Sequence, residues 1–175
     1  MRDGEAPTLL LGLGNDILGD DAVGLVAARL LRNELQDDVE ILESAGAGLE
    51  LLDLLEGHER ALLLDAVLTG EHPPGTVLEF SREHFQKVAG PSPHYAGIPE
   101  VLRLAECLGI AFPTELCILA MEVEDPYHIR EGLSASVERA LPLFVGRAKQ
   151  ILSRWGTQRR SLDPTSSSTY APASM

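Results

Sequence analysis

A chain of 175 residues, 45% hydrophobic and 23% charged, can bury one core and has the composition of a globular domain. Its formal net charge of −13 would repel a phosphate backbone, which excludes nucleic acid as an expected partner. No apolar run approaches the roughly 18 residues that span a membrane, and the opening MRDGEAP lacks the apolar segment of a secretory signal.

Cys107 and Cys117 form no C-x-x-C pair and no disulfide framework. That usage fits a reducing compartment, so a cytoplasmic protein is expected. A monomer suffices, because a chain of this size can bury its own core.

In chain order, the first predicted strand is Thr8 to Leu11, followed by a glycine turn at Gly12 and Gly14 and a polar loop. The first helix is predicted from about Asp21 to Leu35, with Val23, Val26, Ala27, Leu30 and Leu31 on one apolar face. Asp20 can cap that helix, and Asp21 lies in its first turn, where the helix dipole favours a carboxylate. Val39 to Leu42 reads as a second strand, SAGAG (Ser44–Gly48) as a turn, and Leu49, Leu52 and Leu55 as a short helix stopped near Gly57. Ala61 to Val67 is an apolar run broken by Asp65, the pattern of a strand buried on both faces. Thr76 to Phe80 is a fourth strand, and GPSPHYAGIP (Gly90–Pro99) is a loop.

A helix follows to about Leu108, then a fifth strand from Glu115 to Met121. The last helix runs from about Ser134 to Leu152, with Val137, Leu141, Phe144, Ala148 and Ile151 inward and a kink at Pro142. Residues 1–155 therefore form one α/β domain. Residues 156–175, rich in Ser, Thr and Pro, read as a disordered tail.

Three features could carry chemistry: the pair Asp20–Asp21 after the glycine turn, Asp65 near the end of a buried strand, and His94 in the Gly/Pro loop. In a parallel sheet the first and third strands end on one edge, so Asp21 and Asp65 would face each other there. Two carboxylates and an imidazole make a mixed O/N ligand set that suits nickel or zinc and leaves positions open. The same groups could serve as acid and base without metal. The competing structural readings are a helix cap for Asp20 and Asp21, a hydrogen-bonded buried carboxylate for Asp65, and a solvated ring for His94. His58, His72, His84 and His128 sit in polar, turn-like contexts and read as surface residues. A dinucleotide site is disfavoured, since the third glycine of G-x-G-x-x-G would fall on Ile17. No G-x-S-x-G marks a serine hydrolase.

GLGNDILGDDAVG (Gly12–Gly24), LLLDAV (Leu62–Val67) and SPHYAGIPEVL (Ser92–Leu102) resemble the hydrogenase maturation endopeptidases, which trim the large subunit of nickel–iron hydrogenases. The resemblance runs in order from about Leu9 to Leu152 and includes the late L-S-x-x-V-x-x-A-L-P segment (Leu133–Pro142). It implies a three-layer α/β fold of the phosphorylase/hydrolase-like kind. A twisted, mostly parallel five-stranded sheet would lie between helices on both faces, with one antiparallel strand near an edge. It also implies an aspartyl-type endopeptidase whose catalytic and metal-binding residues fall on Asp21, Asp65 and His94. The nickel would be supplied by the large-subunit precursor, though another divalent metal could take its place, and no separate organic cofactor is implied. The bound precursor would lose its C-terminal extension.

The chain departs from the family pattern at Ala45 and Ala47 in the turn after the second strand and at Tyr95 after the loop histidine. Position 22 is Ala where many members carry Gly. These departures bear on which precursor is cut. A noncatalytic metal-binding or chaperone-like module for the precursor is the alternative from another class, and a nucleotide-binding α/β enzyme is a more distant one.

Overall fold

A strand that reads as uninterrupted leucine has no polar face to offer water, so it must be covered on both sides. Two such strands form the middle of the sheet: β1 (Thr8–Leu13) and β3 (Arg60–Val67), both buried along their whole length. The computed structural model describes residues 8–35, 39–81 and 98–162, with backbone only for residues 98–102 and 157–162. Around β1 and β3 lie β2 (Val39–Ser44), β4 (Val77–Ser81) and β5 (Glu115–Glu122), in the order β2-β1-β3-β5-β4. β1 pairs in parallel with β2 and β3, β3 pairs in parallel with β5, and β4 closes the edge antiparallel to β5. This is the mostly parallel five-stranded sheet that the sequence predicts.

Strand alternation divides the core into two. On one face Leu10, Leu62, Leu64 and Ala66 pack with residues of α1 (Val23–Arg32) and α4 (Ala135–Leu162). On the other face Leu9, Leu11, Leu63 and Ile118 pack with Leu51 and Leu55 of α2 (Glu50–Leu55). The remaining helix, α3 (Ile98–Leu108), packs beside α2 and buries Ala105. The layers are helix, sheet, helix. Among the described residues no helix is long and apolar enough to cross a membrane.

The first helix differs from its predicted form in two ways. A 3-10 turn, Gly19–Ala22, precedes α1, so Asp21 lies before the regular helix and not in its first turn. The inner stripe is Val23, Ala27, Ala28 and Leu31, while Leu30 is exposed. The reason is Gly12: a Cβ there would stand 2.8 Å from the Ala28 Cβ, so the helix turns its smallest residues to β1 and Leu30 outward.

The last helix also exceeds its prediction. α4 continues through Leu162, so residues 156–162, assigned to a disordered tail, are helical. Trp155 packs against the core and its carbonyl accepts a hydrogen bond from Arg60 Nη1 at 3.0 Å. With that turn anchored, adding further helical residues costs little. Residues 163–175 lie outside the described residues. Pro142 sits inside α4, where it supplies no N–H to the preceding turn. His58 is not the solvated ring that was expected: its side chain is largely buried, with Nε2 3.2 Å from Glu40 Oε2.

β4 is fastened to α4 by charge. Glu79 accepts hydrogen bonds from Arg147 Nη2 at 2.6 Å and from Arg154 Nη2 at 3.1 Å. Partial burial pushes the Glu79 carboxyl up, but the two guanidinium contacts outweigh it and hold it below the usual carboxylate range. A carboxyl held low stabilises the fold above its unfolded pKa, and that contribution is lost as the pH falls through the folded value. Glu79→Gln should therefore cost up to about 1 kcal/mol at neutral pH, with wild type and variant converging once the pH falls beneath the usual carboxylate range. Urea midpoints across that range check it, and a difference that persists in acid would contradict it.

Candidate active site

The carboxyl ends of the parallel strands are where loops of an open α/β sheet collect ligands. Here β1 ends at Leu13, β3 at Val67 and β5 at Glu122. What folds the first loop back over that edge is a pair of glycines. Gly14 has φ 143°, and a Cβ on it would lie 2.1 Å from the carbonyl oxygen of Asp21. At Gly24 a Cβ would lie 2.2 Å from the Leu64 oxygen and 2.3 Å from the Leu13 oxygen. The chain can thus press its backbone onto the ends of both central strands. The 3-10 turn that carries Asp21 packs on β3, whose Leu64, the residue before Asp65, is the one that touches Gly24.

Asp21 and Asp65 are both buried, at 2% and 0% exposure. Asp65 Oδ1 accepts the Ala66 N–H at 2.7 Å. By strand alternation Asp65 lies on the face of Leu63 and Val67, the face that α2 covers. Carboxylates kept so far from water are costly unless hydrogen bonds or a cation compensate them.

Asp20 does something other than the predicted capping. Neither the 3-10 turn nor α1 has a side-chain cap. Because the turn begins at Gly19, Asp20 lies within it, and its carboxylate reaches across the chain instead of back to the first amides. Its Oδ1 accepts the Ser134 N–H at 2.6 Å and Arg130 Nη2 at 2.9 Å. Two backbone bonds reinforce the link, Arg130 N–H to Ile17 O at 3.1 Å and Gly19 N–H to Arg130 O at 3.1 Å. Asp20 thereby joins the loop before α1 to the loop before α4.

A further buried carboxylate at this edge, Glu122, was not singled out from the sequence. It accepts from Thr69 N–H at 2.8 Å, Thr69 Oγ1 at 2.6 Å and Gly70 N–H at 2.8 Å. These donors make it a fastener for the loop after β3. A signal existed: Glu122 ends an apolar strand just as Asp65 interrupts one. Burial pushes the Cys117 thiol up to about 12, so it stays protonated at neutral pH and is neither nucleophile nor ligand there.

His94 lies outside the described residues. Among the described residues no three His, Cys, Asp or Glu side chains are grouped to hold a metal ion. What they supply at the edge is oxygen donors from Asp21 and Asp65, suited to a divalent cation in part or to accepting a proton from water.

A profile of the hydrogenase maturation proteases of the HycI kind matches residues 25–151. The chain is 32% identical over 134 residues to the hydrogenase 2 maturation protease of Escherichia coli K12, covering 74% of this chain and 80% of that one. It is 30% identical over 153 residues to the hydrogenase expression/formation protein HupD of Rhizobium leguminosarum bv. viciae, covering 85% and 75%. The solved structure of the E. coli hydrogenase maturating endopeptidase HybD superimposes with a TM-score of 0.74 at 28% identity, covering 86% of this chain and 94% of that one.

Removing the Asp20 carboxylate leaves the Ser134 amide without its acceptor. Asp20→Ala is therefore expected to lower stability by about 2 kcal/mol, and Arg130→Ala, half-exposed, by no more than about 1 kcal/mol. Urea unfolding of the two variants checks this; equal losses, or none from Asp20→Ala, would contradict it.

Proposed function

The chain belongs to the hydrogenase maturation protease family, hydrolases of peptide bonds, and from that premise we propose that it removes the C-terminal extension of a nickel-loaded [NiFe]-hydrogenase large-subunit precursor. The observation that carries this reading is the placement of two buried carboxylates, Asp21 and Asp65, on adjoining stretches at the carboxyl edge of the sheet. His94 is the third member proposed. No resident metal is required: the nickel arrives as part of the substrate.

The donor set fits that role. Two carboxylates and one imidazole, without a thiolate, hold a free divalent ion only modestly. A precursor that carries nickel on its own thiolates brings the missing donors. Asp21, Asp65 and His94 then bind the loaded precursor and leave an empty one unrecognised, which makes metal loading a condition for cutting. Hydrolysis adds water across the scissile amide: a carbon–oxygen bond forms, the carbon–nitrogen bond breaks and the nitrogen gains a proton. Precursor-borne nickel supplies Lewis acidity toward that carbonyl. A carboxylate of this chain holds the proton that the attacking water gives up.

The cysteine usage supports a cytoplasmic setting, since the buried Cys117 and the exposed Cys107 are both free thiols. A monomer is proposed as the working unit.

The test is incubation with nickel-loaded and nickel-free precursor, read by intact mass. Only the loaded form should lose a C-terminal peptide. Asp21→Asn, Asp65→Asn and His94→Ala should each slow the reaction by at least about 100-fold while the far-ultraviolet spectrum stays native. Binding without loss of mass would support an escort module instead, and full activity in any two variants would remove the site assignment.

A further inference from the structure

Among the described residues, Leu30, Leu108 and Leu143 are exposed apolar side chains on helices and Leu68 follows β3, while four others share a different setting. Ile17 (59% exposed) follows β1, Leu49 (64%) follows β2, and Tyr127 (61%) and Ile129 (81%) follow β5. All stand beyond carboxyl strand ends, on the rim that carries Asp21 and Asp65. Two of them are held together by the backbone. Arg130 N–H donates to Ile17 O, Gly19 N–H donates to Arg130 O, and residues 18 and 130 form a parallel bridge. Asp20 anchors Arg130 and Ser134 beneath. Ile17 and Ile129 are therefore adjacent, and their backbone is fixed. Apolar side chains presented to water on a fixed support mark a contact surface.

The charge around them is mostly acidic. Glu124 and Glu131 are exposed, and Asp125 is half-buried beside them. The arginines nearby are already engaged: Arg130 by Asp20, and Arg29 by Asp16 and Glu43. A second copy of this chain would bring the same acidic rim and a net charge of −13, so self-association here is opposed.

We infer that Ile17 and Ile129, with Tyr127 and the acidic rim of Glu124, Asp125 and Glu131, form the docking surface for a basic, apolar-studded face of the protein substrate. The inference rests on the proposed protease function and adds to it the surface that recognises the folded precursor apart from its metal. Apolar contact supplies affinity at the centre, and the carboxylates steer approach and select a basic partner.

The experiment uses the full chain and the nickel-loaded large-subunit precursor from the same cell. The readout is steady-state cleavage by intact mass, with equilibrium binding measured alongside. Ile17→Ser/Ile129→Ser should raise KM by about tenfold or more and leave kcat within about twofold, the signature of lost binding that ground and transition states share. Glu124→Lys/Glu131→Lys, which touches no apolar residue, should also raise KM and flatten its dependence on salt. Unchanged KM in both variants, each with a wild-type melting curve, overturns the docking surface and leaves the protease reading standing. If the wild type binds the precursor without cutting it, the protease reading fails, and the same variants decide the docking surface through Kd. If it neither binds nor cuts, both fall.

Discussion

The structure depends on one close approach, the backbone of Gly24 against the carbonyl oxygens of Leu13 and Leu64. These belong to the two strands at the centre of the sheet. A side chain at Gly24 would overlap both oxygens, so any other residue would push the start of α1 off the sheet. Gly12 against Ala28 and Gly14 against Asp21 repeat the contact on either side. The result is a helix start pinned to the strand ends, with Asp21 carried in on the turn that precedes it. The acidic pair thus owes its place to missing side chains elsewhere in the loop.

Buried charge is the second constraint, and hydrogen bonds answer it, as where Asp65 accepts the Ala66 N–H. Glu122 is met by donors from Thr69 and Gly70, and Asp20 by Arg130 and Ser134. Both hold loops together across long stretches of chain. Asp21 and Asp65 come from the first turn and the third strand, the parts of the molecule that the glycine contacts bring together.

Much of this was legible in the sequence. The run Ala61–Val67 announced a strand covered on both faces, and the alternation of strands and helices announced the parallel sheet. Asp65 stood out because a charge inside such a run must have a reason. Other features were not legible, because they depend on contacts between distant parts of the chain. Asp20 looked like a cap because capping is a local pattern, whereas its partners lie at Arg130 and Ser134. The stripe of α1 was rotated by the contact of Ala28 with Gly12, which periodicity does not encode. α4 outran its apolar pattern because Trp155 is tied to Arg60, a residue at the start of β3. His94, read from its Gly/Pro loop, lies outside the described residues.

The central claim is that Asp21 and Asp65 act on one ion or one substrate group at the strand ends. Crystals of the protein soaked with nickel and measured at the nickel absorption edge test it most directly. The account predicts an anomalous peak with oxygen atoms of both carboxylates at about 2.0–2.2 Å. A peak held elsewhere, or an Asp21 carboxylate turned away from Asp65, would contradict it.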